Sequence, residues 1–171
     1  YNGIEYREPP DAPDFTLLDQ NGEEFTLSDL EGKVVVVAFI YTTCPDICLA
    51  ISANMAWAQE NLGSASDDVV FLSVTIDPAR DTVARLSEWT EAMGYDWTHL
   101  TAERTSTLVS VYSSWNVIVD NAHIEASTPP EGAMNRVIVL DAENNSTVID
   151  HLNSELSIGA TVGDLDEQAR G

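Results

Sequence analysis

Cys44 and Cys48 are the only cysteines among 171 residues, and they stand four apart in Cys44-Pro45-Asp46-Ile47-Cys48. On a helix, residues i and i+4 share a face, so the two sulfurs can converge on one point. The thiolate is the reactive and metal-binding form of cysteine, and thiolates select a soft cation such as copper(I) or zinc. The same pair can close as a disulfide where the backbone allows it. A bridge this local closes a very small loop and adds little chain-entropy stabilisation, which favours a reactive or metal-binding pair over a structural staple. Zinc is the weaker candidate, because a structural zinc site takes four protein ligands and no further cysteine is present. The inert alternative is two buried cysteines acting as small apolar side chains. Their placement directly after an apolar strand and at a helix start argues against it.

A strand ending before the pair and a helix starting at it must hold the sulfurs. Residues 33–40 (KVVVVAFI) are apolar and β-branched throughout, as a strand buried on both faces should be. A helix is expected over 45–61, with Pro45 in its first turn and Leu62-Gly63 as its stop. Cys44 then stands at the N-cap and Cys48 in the first turn, where the helix dipole and free N–H groups favour a thiolate. Both sulfurs are expected near the surface, at least one of them more acidic than a free thiol, with Asp46 working modestly against this.

Residues 69–76 (VVFLSVTI) read as a second central strand, parallel to the first and beside it. Further along, helices are expected over 82–93 (with Gly94 behind it), 106–115 and 160–169, and a short strand over 97–100. Residues 120–132 form a polar loop with Pro129-Pro130. Residues 134–140 and 147–152 form a hairpin around Asn144-Asn145. Near the start, Asn21-Gly22 joins runs 15–18 and 24–27 in another hairpin, followed by a capped turn at 28–32. The fold class is α/β: a mixed central sheet with helices on both faces and an N-terminal β-hairpin. One domain is expected over 1–171, with 1–12 as an extended segment. Ligands of open α/β sheets bind beyond the carboxyl ends of the strands, which is where Cys44 falls. Asp77 leaves the second strand on the same edge. It is read either as an acid that moves protons for the dithiol or as a loop brace. Arg80 is read as bridging carboxylates and Asp81 as capping the helix from Thr82.

Twenty-nine Asp and Glu face seven Lys and Arg, a net charge of −22, and Lys33 is the only lysine. Duplex nucleic acid needs a basic partner, so that class is excluded. The apolar content of 44% argues against disorder. A fold adapted to high salt is expected, because at molar salt the Debye length falls to about 3 Å and surface carboxylates hardly repel one another. No apolar run approaches the roughly 20 residues that span a bilayer. Residues 1–14 lack the pattern of a leader, so neither signal nor anchor is expected within this chain.

Two blocks carry a resemblance: Phe39-Ile40-Tyr41-Thr42-Thr43-Cys44-Pro45-Asp46-Ile47-Cys48 and Ser73-Val74-Thr75-Ile76-Asp77-Pro78-Ala79-Arg80-Asp81-Thr82. Pro13-Asp14-Phe15-Thr16-Leu17, Gly22 and Trp97-Thr98-His99-Leu100-Thr101 add weaker matches. Together they resemble the Sco (SenC) family of copper-delivery proteins. The resemblance implies a thioredoxin-like fold, copper as cofactor (Cu(I) first, Cu(II) second) and a role in building the dinuclear copper centre of cytochrome c oxidase subunit II. It equally allows a thiol–disulfide oxidoreductase that reduces the cysteines of that or another extracytoplasmic protein. It implies a monomer at the extracytoplasmic face of the membrane, anchored by a precursor segment outside this chain. The family's third copper ligand is a histidine whose position falls here at about Ala133 or Met134. His123, in the preceding loop, is the first candidate to replace it and Met134 the second; His99 and His151 are weaker. A peroxidase of the peroxiredoxin type is disfavoured. Its Pro-x-x-x-Thr-x-x-Cys pattern would need Pro and Thr where Val37 and Tyr41 precede Cys44, or where Tyr41 and Pro45 precede Cys48.

Overall fold

The computed structural model describes residues 8, 10–45 and 47–119, together with the backbone of two later strands. His123, Met134, His151 and the helix expected at 160–169 lie outside the described residues. The elements are β1 (Thr16–Leu18), β2 (Glu24–Thr26), β3 (Val34–Ile40), α1 (Ile47–Asn61), β4 (Val69–Thr75), α2 (Val83–Met93), β5 (Thr98–Leu100), α3 (Thr105–Ser114), β6 (Arg136–Leu140) and β7 (Ser146–Ile149).

The main sheet runs β5-β4-β3-β6-β7. β3 pairs parallel with β4 from Val34↔Val69 to Ile40↔Thr75 and antiparallel with β6, so the sheet is mixed. All seven residues of β3 are buried, as a β-branched run flanked by neighbours on both sides requires. The two central strands therefore lie where the sequence placed them.

Side chains alternate across the sheet. On one face, Ser73 accepts from Trp97 Nε1 at 2.8 Å, and His99 meets Trp89 of α2 edge-on with centroids 5.0 Å apart. On the other face, Phe39 packs against Trp115 at the end of α3, with centroids 5.8 Å apart. Helices thus cover both faces. The β1–β2 hairpin closes one end of the sheet: Leu18 and Thr101 exchange backbone hydrogen bonds of 2.8 Å each way. Asp14 caps the turn that follows, accepting from Ser28 N–H at 3.0 Å and Ser28 hydroxyl at 2.8 Å.

Most element ends shift by a residue or two from the sequence reading, and two of the differences bear on the site. α1 begins at Ile47, not at 45. The Cys44 N–H is committed to Tyr41 O in a turn at 3.3 Å, and proline has no N–H, so Cys44 precedes the helix while Cys48 is its second residue. α2 is capped by Thr82, whose hydroxyl accepts from Arg85 N–H at 3.3 Å; Asp81 does not cap it. Gly94 ends α2 in the left-handed conformation, at φ 69°. Among the described residues no helix is long and apolar enough to cross a membrane.

Candidate functional site

β3 and β4 run parallel, so both deliver their chains to the same edge of the sheet. Beyond β3 come Tyr41, Thr42 and Thr43, then Cys44. Beyond β4 comes Ile76, whose N–H donates to Ile40 O at 2.9 Å and keeps the two exits side by side, and then Asp77.

The Cys48 N–H donates to Cys44 Sγ at 3.4 Å, as a free amide at a helix start should. The two thiols, both free, also hydrogen-bond to one another. Tyr41 hydrogen-bonds to the Cys44 sulfur through its hydroxyl. Cys44 retains 8% exposure and Cys48 1%. The pair is therefore less open than its position at a helix start suggested: both cysteines belong to the buried core. The proton on Cys48 is held strongly: the bond to Cys44 and burial push its pKa well above the usual thiol value, while a backbone hydrogen bond from Tyr41 pulls the other way. Burial and the contact with Cys44 likewise push the Tyr41 hydroxyl up.

Each residue of the 41–43 loop has its own tie. Thr43 hydroxyl donates to Asp77 Oδ2 at 3.4 Å, and Arg80 donates to Asp77 Oδ1 at 2.7 Å. Asp77 is fully buried. Burial raises its pKa, and Arg80 and Thr43 lower it. It stands one hydroxyl away from the dithiol loop. Thr42 is tied to Asp81 by its N–H at 3.0 Å and its hydroxyl at 2.6 Å. Tyr41, Thr42, Thr43 and Thr75 were missed as site residues by sequence reasoning. Tyrosine and threonine are common strand residues, and only their position at or just beyond the strand ends sets these apart.

His99, a weak ligand candidate, is 1% exposed and lies among Trp89, Tyr95 and Trp97, with centroids 5.0, 6.4 and 5.4 Å away. Among the described residues no group of three or more His, Cys, Asp or Glu gathers as a metal cage.

The SCO1/SenC family model matches residues 5–169. The chain belongs to the SCO1/SenC family. Members similar to it in sequence include the SCO2-like protein of Rickettsia felis, 41% identical over 76 residues that cover 44% of this chain and 37% of the relative. Protein SenC of Rhodobacter capsulatus is 33% identical over 106 residues, covering 61% and 48%. The chain thus spans between a third and a half of these relatives' lengths. Its fold resembles that of copper-bound ScoI from Bradyrhizobium japonicum (TM-score 0.74, 22% identity, 93% of this chain and 99% of that one). It also resembles copper-bound yeast Sco1 (0.75, 22%, 95% and 90%). BsSco, described with a disulfide switch and as one of the Sco family of cytochrome c oxidase assembly proteins, aligns at TM-score 0.73 with 20% identity over 98% of both chains. The thioredoxin-like architecture expected from the sequence is the one these SCO1/SenC structures share.

Proposed function

We propose that this SCO1/SenC protein takes copper(I) on Cys44 and Cys48 and hands it to a copper protein such as cytochrome c oxidase subunit II, on the extracytoplasmic side of a membrane. The observation that carries the reading is the contact between the two sulfurs at the start of α1. Two adjacent thiolates suit a soft, low-coordinate ion, and Sco proteins of the same fold hold copper. Metal binding must displace both thiol protons. Because the Cys48 proton is tightly held, affinity rises with pH. A third ligand, where there is one, comes from His123 or Met134.

The same contact supports thiol–disulfide exchange as a second reading. The Cys44 thiolate attacks a target disulfide and one target sulfur leaves as a thiolate. Cys48, deprotonated, then attacks the Cys44 sulfur and expels the second target sulfur. Two electrons pass from the pair to the target, and the two protons lost by the thiols match the two gained by the target. Asp77, reached through Thr43, takes up and returns such a proton.

Anaerobic copper(I) titration against a competing chelator tests the first reading. The parent binds one copper per chain. Cys48→Ala loses that affinity, and His123→Ala or Met134→Leu weakens it. Cys48→Ala binding as tightly as the parent overturns the copper reading. Parent affinity in both ligand variants makes the site two-coordinate.

A further inference from the structure

Asp81 is fully buried, and its one part in the chemistry described above is that its charge adds to the upward push on the Cys48 thiol. Its Oδ2 accepts from Thr42 N–H at 3.0 Å and from Thr75 hydroxyl at 2.7 Å; its Oδ1 accepts from Thr42 hydroxyl at 2.6 Å. The direction of both hydroxyl bonds follows from their other partners. Arg85 Nε, which can only donate, points at Thr42 Oγ1 at 3.0 Å. Asp77 N–H donates to Thr75 Oγ1 at 3.0 Å. Both hydroxyl protons are therefore committed to Asp81. The main chain of Asp81 is fixed as well: its N–H donates to Asp77 O at 2.9 Å, and its carbonyl accepts from Thr101 hydroxyl at 2.7 Å.

We propose that Asp81 is the positioning residue of the dithiol: its buried carboxylate clasps Thr42, two residues before Cys44, to the end of β4 and so sets where the Cys44 sulfur stands over Cys48. The proposal rests on the dithiol being the working centre, not on which metal or target it meets. The physical need is plain. Residues 41–44 form a turn outside the sheet, where no ladder holds them, and the sulfur–sulfur contact tolerates little displacement. Thr42 has two donors to satisfy, its N–H and its hydroxyl, and a carboxylate is the side chain that accepts both in a buried place. Burial pushes the Asp81 carboxyl up, and its bonds from Thr42 and Thr75 pull it down. Protonated Asp81 would leave one of these donors without its acceptor, so the clasp needs the ionised form.

The test compares Asp81→Ala, Asp81→Asn and Thr42→Val with the parent in molar potassium chloride. Three quantities are read: the pH profile of Cys44 alkylation, mapped by mass spectrometry; copper(I) affinity; and thermal midpoint. Asp81→Ala moves the Cys44 profile and weakens copper(I) about 10- to 100-fold, the scale for partners that orient metal ligands. Asn, with its one oxygen in the Oδ2 place, keeps two of the three acceptances and falls between parent and Ala in the Cys44 profile and in copper(I) affinity, whereas a merely structural role moves the thermal midpoint and leaves those two readouts where they were. Thr42→Val removes the hydroxyl arm of the clasp from the loop side, keeps the N–H arm and the buried carboxylate, and moves both readouts in the same direction as Asp81→Ala by a smaller amount. Parent-like values in Thr42→Val overturn the proposal, even where Asp81→Ala fails to fold, and so does an Asn variant no better than Ala. A parent that binds no copper defeats the copper reading alone, because the alkylation profiles still decide the role of Asp81.

Discussion

His99 shows how much a single side chain's meaning depends on its surroundings. Its Nε2 is buried and finds no partner among the described residues, while three aromatic rings pack around it. A small space of about 10 Å³, lined by Tyr41, Thr42, Ser73, Thr75, Asp81, Trp89 and others, touches it. Burial lowers its pKa from 6.5 to about 4. The folded protein therefore accepts this proton at lower pH than the unfolded chain. The stability from keeping His99 neutral is complete above pH 6.5 and is lost as pH falls toward 4, a difference of about 3 kcal/mol. Asp77 and Asp81, raised by burial, act with the opposite sign: their contribution is present at low pH and lost as pH rises. The difference between parent and His99→Phe isolates the histidine. In urea unfolding at molar salt, the variant is at least as stable as the parent at pH 7 and gains about 3 kcal/mol on it by pH 4. Parallel pH curves for the two proteins would refute this.

At the scale of elements, the helices owe their ends to a few local bonds. Thr82 accepts one of the orphan N–H groups at the start of α2, and Thr82→Ala costs about 1 kcal/mol in urea unfolding. Because Thr82 caps the helix while Asp81 next to it holds the loop, Thr82→Ala leaves the pH profile of Cys44 alkylation where it was. A shift in that profile would mean that the cap and the clasp are one unit. The sheet is sturdier: β3 and β4 are paired along seven residues each, so the two chain exits that build the site start from the most buried part of the fold.

For the whole molecule, charge is the governing quantity. Twenty-nine carboxylates meet seven basic side chains, and only three ion pairs form among the described residues: Lys33–Asp68, Arg80–Asp77 and Arg85–Glu88. Most of the acidic surface is left to repel itself. Raising salt from 0.1 M to 1 M shortens the Debye length from about 10 Å to 3 Å, which relieves the repulsion. The thermal midpoint rises by at least about 5 °C, a gain on the order of 1–2 kcal/mol for a chain of this size. A midpoint unchanged between dilute buffer and molar potassium chloride would sink the reading of a salt-adapted fold.

Periodicity, composition and adjacent motifs are local properties, so the sequence by itself determined β3 and β4 as buried neighbours, the hairpin at Asn21-Gly22, the stop at Gly94 and the dithiol at the end of β3. Each follows from a local run or turn, where backbone preference and burial act directly, and for β3 and β4 from two such runs joined by a single helix. What the tertiary structure alone decided is which partner each polar side chain meets. Asp81 was as good a cap for α2 as any aspartate before a helix. It faces Thr42 instead, 39 residues earlier, because the parallel pairing of β3 and β4 brings their exits together and Thr82 already fills the cap. The depth of Cys48 has the same origin. Its place in the first turn of α1 was legible, but its burial in the core depends on how the chain leaves the sheet, and no local pattern encodes that.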